Sequence, residues 1–106
     1  MDGDEVTVIE ILTVQEEHAD EAKELIARSV QYFRQIPGVH RAWAVQDRAK
    51  PGEFAFVSLV DAACVAEIQR ATAEAEWHKA MEPRWHEILV PGRFRRVIGA
   101  SLEQAA

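Results

Sequence analysis

The spacing of hydrophobic residues changes repeatedly along the chain, and each change marks an element. Residues 5–14, EVTVIEILTV, are dense in β-branched side chains and short enough to form one strand. Alternation puts Val6, Val8, Glu10, Leu12 and Val14 on one face and Thr7, Ile9, Ile11 and Thr13 on the other, and neither face is plainly polar. From Glu16 to Ile36 the period lengthens: Ala22, Leu25, Ile26, Val30, Phe33 and Ile36 recur at helical steps. Acidic residues crowd the first turns and Arg34 lies near the end, as the helix dipole prefers, and Pro37-Gly38 stops the helix.

A second strand, Val39–Arg48, alternates again, and Lys50-Pro-Gly-Glu53 turns the chain into a third, Phe54–Val60. Phe54, Phe56 and Val60 share one side of that strand, while Ala55, Val57 and Leu59 share the other. Asp61 is placed to cap a helix over Ala62–Thr72. The next stretch, EWHKAMEPRWHEIL (residues 76–89), has Trp77, Met81, Arg84, Trp85 and Ile88 on a helical stripe, interrupted by Pro83. A proline inside a helix removes a backbone donor and clashes with the preceding turn, so the stretch is predicted as two pieces. One is a short turn over Glu76–Met81, and the other is a helix starting at Pro83 and running to Leu89. Pro91-Gly92 then leads to a fourth strand, Phe94–Leu102.

Strand, helix, strand, strand, helix, strand is the split βαβ order, which predicts a ferredoxin-like α+β fold: a four-stranded antiparallel sheet with its helices on one face. Helices cover only one side, yet the first and third strands are apolar on both. At ~25 cal/mol per Å², burying a few hundred Å² of that second face would contribute on the order of 10 kcal/mol before association costs. The pattern therefore predicts a homodimer joined sheet to sheet.

The remaining bulk properties narrow the partners. The 106 residues are expected to form a single domain. Twelve basic against eighteen acidic side chains leave a net charge of −6, which repels polyphosphate and argues against nucleic acid, the cluster Arg93-Phe-Arg-Arg96 notwithstanding. The start, MDGDEVTV, has neither the basic nor the apolar region of a secretory leader, and no apolar run is long enough to cross a membrane. Cys64 is the only cysteine, so no intrachain disulfide is expected, and a cytoplasmic location follows as an expectation. His78, Glu82 and His86 stand at metal-ligand intervals for one continuous helix, but Pro83 interrupts them and no other His or Cys completes a cluster. No metal and no cofactor are expected.

The order of elements, with Ile36-Pro-Gly38 before the second strand, Trp77-His-Lys-Ala80 opening the last helix and Phe94-Arg-Arg-Val-Ile98 after it, resembles the antibiotic biosynthesis monooxygenase family. The resemblance runs from Val6 to Leu102 and implies a dimeric α+β barrel with a pocket between each sheet and its helices. That pocket would take a small aromatic or polyketide-like molecule. Members of the family oxygenate phenols, anthrones or quinols without flavin or metal, and members of the wider superfamily cyclise polyketides. Where oxygenating relatives often carry a tryptophan at the end of the third strand, this chain has Val60. Glu10 stands near the place of the asparagine used by haem-degrading relatives.

The leading expectation is a cofactor-independent monooxygenase; an aldol-type polyketide cyclase and a non-catalytic ligand-binding protein are the alternatives. His78, at a helix start facing the implied pocket, is the candidate base, since a neutral imidazole can take a proton from a phenol or an activated methylene. Arg84 and His86 are the candidates for holding the oxyanion. Glu10, Tyr32, Trp43, Phe56, Trp77 and Trp85 are candidate substrate contacts. Each has a competing structural role: core or interface packing for the aromatics, and for Glu10 an ion pair with Arg95 or Arg96 across the first and fourth strands.

Overall fold

The computed structural model describes residues 4–100. Strand β1 (Glu5–Thr13) is followed by a short 3₁₀ turn, Glu16–His18, and helix α1 (Ala19–Phe33). Strands β2 (Val39–Gln46) and β3 (Glu53–Asp61) form a hairpin. Helices α2 (Val65–Glu74) and α3 (Glu76–Ile88) come next, and β4 (Arg95–Gly99) closes the order; Ser101 and Leu102, included in the predicted fourth strand, lie outside the described residues. The strands pair antiparallel as β2-β3-β1-β4, the ferredoxin-like α+β arrangement that the pattern predicts.

Local chemistry sets the connections. In the β2–β3 hairpin, Asp47 Oδ1 accepts from the backbone N–H groups of Ala49 and Lys50, an Asx-type turn. Gly52 passes so close to β1 that a Cβ there would lie 2.4 Å from the Val14 carbonyl oxygen. Asp61 caps as expected, accepting from Ala63 N at 3.0 Å, although a 3₁₀ turn (Ala62–Cys64) comes between it and α2. Gly38 has φ +98°, a conformation that favours glycine, and it ends the connection from α1.

Residues 76–89 depart from the expectation. The break falls at Ala75, whose ψ of 142° separates α2 from α3, and α3 then runs through Pro83 without interruption. Pro83 and Lys79, whose carbonyl loses its N–H partner, are both exposed, which leaves that carbonyl on the solvent side of the helix. The inward side holds the two halves together: Met81 and Ile88 are buried, and Trp77 and Trp85 pack against the same core.

That core lies on one face of the sheet. Leu12, Val14, Ala42 and Phe54 meet Ala22, Leu25, Ile26 and Val30 of α1 and Met81 and Ile88 of α3. The opposite face carries Ile9, Ile11, Trp43, Val57 and Leu59, each partly exposed, with Val45 and Val97 about half exposed. Register places Ile9, Val57 and Trp43 side by side across three strands of that face. Among the described residues, no helix is long and apolar enough to cross a membrane.

Candidate active site

Between the inner face of the sheet and the helices lies a cavity of about 700 Å³, within the size range of small-molecule sites. Val8, Glu10 and Leu12 of β1 and Phe56, Ser58 and Val60 of β3 form its floor. Val65, Ile68, Gln69 and Thr72 of α2 close one side, and Ile26, Ser29 and Phe33 of α1 another. The continuous α3 contributes Trp77, His78, Glu82, Trp85 and His86, because steps of three, four and seven return to one side of a helix. Phe94 and Arg96 complete the wall from the β4 end.

His78 is the least satisfied polar group there. Its Nδ1 is buried and, among the described residues, has no hydrogen-bond partner, while its ring stands edge-on to Trp77, 5.8 Å between centroids. A buried imidazole nitrogen without a partner costs free energy. Phe33 and Phe56 meet edge to face at 5.2 Å and stiffen the apolar wall. His86 lines the cavity and also an adjoining hollow of about 270 Å³ beside Thr13, Val90 and Phe94.

Glu10 and Arg96 face each other in register across β1 and β4 and form the anticipated ion pair, with Arg96 Nε donating to Glu10 Oε2 at 2.9 Å. Both residues also line the cavity.

Three of the residues named from sequence stand away from the cavity. Arg84 is turned toward α1: its Nε and Nη2 donate to both carboxylate oxygens of Glu21, at 2.6 and 2.7 Å, and its Nη1 to Glu87 at 2.6 Å. Those hydrogen bonds, to Glu21 first and then to Glu87, raise the Arg84 pKa; the bond from Arg84 holds the Glu21 carboxyl below its ordinary value, against a smaller opposing effect of burial. Each guanidinium nitrogen of Arg84 is thus turned to a carboxylate on the α1 side or on α3, and Arg84 does not line the cavity. Trp43 lies on the opposite face of the sheet, its ring 4.9 Å from the Arg41 guanidinium. Tyr32 stacks on Trp77 at 5.3 Å from outside and remains about half exposed. Of the sequence candidates, the cavity therefore gathers His78, His86, Glu10, Phe56, Trp77 and Trp85.

Sequence reasoning passed over Ser58 and Arg96 as ligand contacts. Ser58 is buried, and it is the one polar side chain on the inward row Phe54, Phe56, Ser58, Val60, which is the signal that would have found it. Among the described residues, no three His, Cys, Asp or Glu side chains converge as metal ligands.

An antiparallel sheet with helices over one face and a cavity between them is the α+β fold of the antibiotic biosynthesis monooxygenases, and solved structures of that family match nearly the whole chain. One is SnoaB from Streptomyces nogalater, a cofactor-independent oxygenase solved as its N63A variant: TM-score 0.75, 15% identity, 97% of this chain and 98% of that one. A second, an antibiotic biosynthesis monooxygenase, matches at TM-score 0.74 and 19% identity over 92% and 98%. PA3566 from Pseudomonas aeruginosa matches at TM-score 0.79 and 17% identity over 96% and 98%. At such identities the likeness is one of fold. No protein-family model and no curated protein matches the chain.

Proposed function

We propose that the protein is a small-molecule enzyme of aromatic or polyketide metabolism that oxygenates a phenolic, anthrone or quinol substrate without a cofactor. The observation that carries the reading is the buried, unpartnered Nδ1 of His78 in an aromatic-walled cavity of about 700 Å³. In this reading His78 removes a proton from an activated methylene or phenol, and the resonance-stabilised carbanion itself reduces dioxygen. For a methylene the balance is CH₂ + O₂ → C=O + H₂O. Trp77, Trp85 and Phe56 hold the planar ring and exclude water, and His86 serves as hydrogen-bond donor to the developing oxyanion in place of Arg84, which bonds Glu21 and Glu87 instead. The fold shared with SnoaB supports the reading without assigning the substrate.

We also propose that the protein works as a homodimer joined through the outer sheet face. The half-exposed Val45 and Val97 and the absence of any covering helix among the described residues support this.

The test is oxygen uptake by the purified protein with an anthrone under air. The expected result is uptake that His78→Ala reduces by about 10²-fold or more, the usual scale for loss of a general base. Product formed equally well under argon would convict the oxygenase reading in favour of ring closure, and full activity in His78→Ala would remove that residue from the chemistry.

A further inference from the structure

The ion pair in the cavity wall is bonded asymmetrically. Arg96 Nε donates to Glu10 Oε2 at 2.9 Å, and Arg96 Nη2 lies 2.8 Å from the same oxygen. Both contacts fall on one carboxylate oxygen. Among the described residues, Glu10 Oε1 accepts no hydrogen bond and Arg96 Nη1 donates none. Neither side chain is fully buried, Glu10 being 28% and Arg96 44% exposed. The guanidinium is also held from a second direction by the Phe94 ring, 5.6 Å away, and Phe94 lines the same cavity.

A pair with only a stabilising role between two strands would gain little from so open a position. Here it presents a fixed acceptor beside a fixed donor, in the same wall as Val8, Leu12, Phe56 and Phe94. Because Glu10 and Arg96 hold each other in place before any ligand arrives, the ordering cost of reading a ligand is already met. The complementary ligand edge carries a donor and an acceptor on neighbouring atoms. A carbonyl alone would engage Arg96 and leave the carboxylate unmatched; a hydroxyl or N–H alone would do the reverse.

We propose that Glu10 and Arg96 are specificity-determining residues that select planar aromatic ligands in which an N–H or O–H donor stands directly beside a carbonyl. The inference rests on the aromatic-cavity reading above and narrows it. It adds Arg96 to the ligand contacts and gives Glu10 a defined recognition role.

The two readings separate in one binding experiment with fluorescent probes: 2-quinolone, whose ring N–H lies beside its carbonyl, and 1-methyl-2-quinolone, which has the same rings without the donor. The wild-type chain is expected to bind 2-quinolone about tenfold more tightly, the scale of one charge-assisted hydrogen bond at a partly exposed site. In the double variant Glu10→Leu/Arg96→Met the ratio falls to about one, while affinity for the methylated ring is kept. Arg96→Lys retains the charge and the strand but lacks the planar fork, so it also loses most of the discrimination and serves should the double variant fold poorly. A wild-type ratio near one, or a tenfold ratio surviving in the variants, would overturn the inference while leaving the aromatic cavity standing. Failure of both rings to bind the wild-type chain would overturn both.

Discussion

Replacing Pro83 by alanine should stabilise the protein, because α3 passes through that position as one helix. An interior proline is about 3 kcal/mol less favourable than alanine, from the lost N–H and the ring's clash with the carbonyl four residues earlier. That carbonyl belongs to Lys79, and both residues are exposed, so water already meets part of the cost. Proline also stiffens the unfolded chain, and removing it gives back about 0.4–1 kcal/mol of that advantage. The net gain is therefore expected at about 1–2 kcal/mol. For a domain near this size each kcal/mol moves Tm by roughly 4–8 °C, so the variant should melt about 5–15 °C higher. Urea titration and calorimetry at one fixed protein concentration measure it, the concentration being fixed because association would otherwise shift Tm by mass action. An unchanged m-value with a higher midpoint would assign the gain to stability alone. A variant no more stable than the parent, or less so, would refute the continuous helix. Proline at the first turn of a separate helix is favourable, and its removal there would cost stability.

Two further outcomes follow from the outer sheet face and the α1–α3 ion pair. Val57→Asp places a charge between Ile9 and Trp43 at the centre of the uncovered face, so sedimentation should show a wild-type dimer and a monomeric variant; a monomeric wild-type chain would sink the sheet-to-sheet association. Glu21 has a folded pKa held down by Arg84, so its contribution is present above the unfolded carboxylate pKa and is lost as pH falls through the lower folded one. Urea stabilities of wild-type and Arg84→Gln should differ at neutral pH and converge in acid, and a difference independent of pH would show that the pair contributes by packing alone.

Much of the fold could be read because each element's period is carried by several residues at once. Alternation in residues 5–14 and the helical steps of Ala22, Leu25, Ile26 and Val30 survive any single exception. The error at Pro83 came from letting one residue's local penalty decide an element. Burial of Met81 and Ile88 on the far side of the same turns outweighs that penalty, and burial is a tertiary quantity. The site was harder, because strand parity sorts residues into two faces without saying which face the helices cover. Trp43 and Phe56 were equal candidates on that basis, and the sheet register separates them: Trp43 stands opposite Val57 on the outer face, whereas Phe56 stands opposite Glu10 on the inner one. Arg84 was misplaced for a related reason. It is adjacent to Trp85 in the chain, but the helix turns about 100° per residue, which carries it round to a glutamate 63 positions away. Abundance of aromatic residues therefore did not locate the cavity, since core and outer face are aromatic too. Polar residues in the wrong company did better: Glu10 among valines and leucines, Ser58 between Phe56 and Val60, and His78 next to Trp77 all face the same space. Each is costly to place on an apolar face unless something meets its polar atoms. Arg96 meets one oxygen of Glu10, whereas the other oxygen and His78 Nδ1 have no hydrogen-bond partner among the described residues.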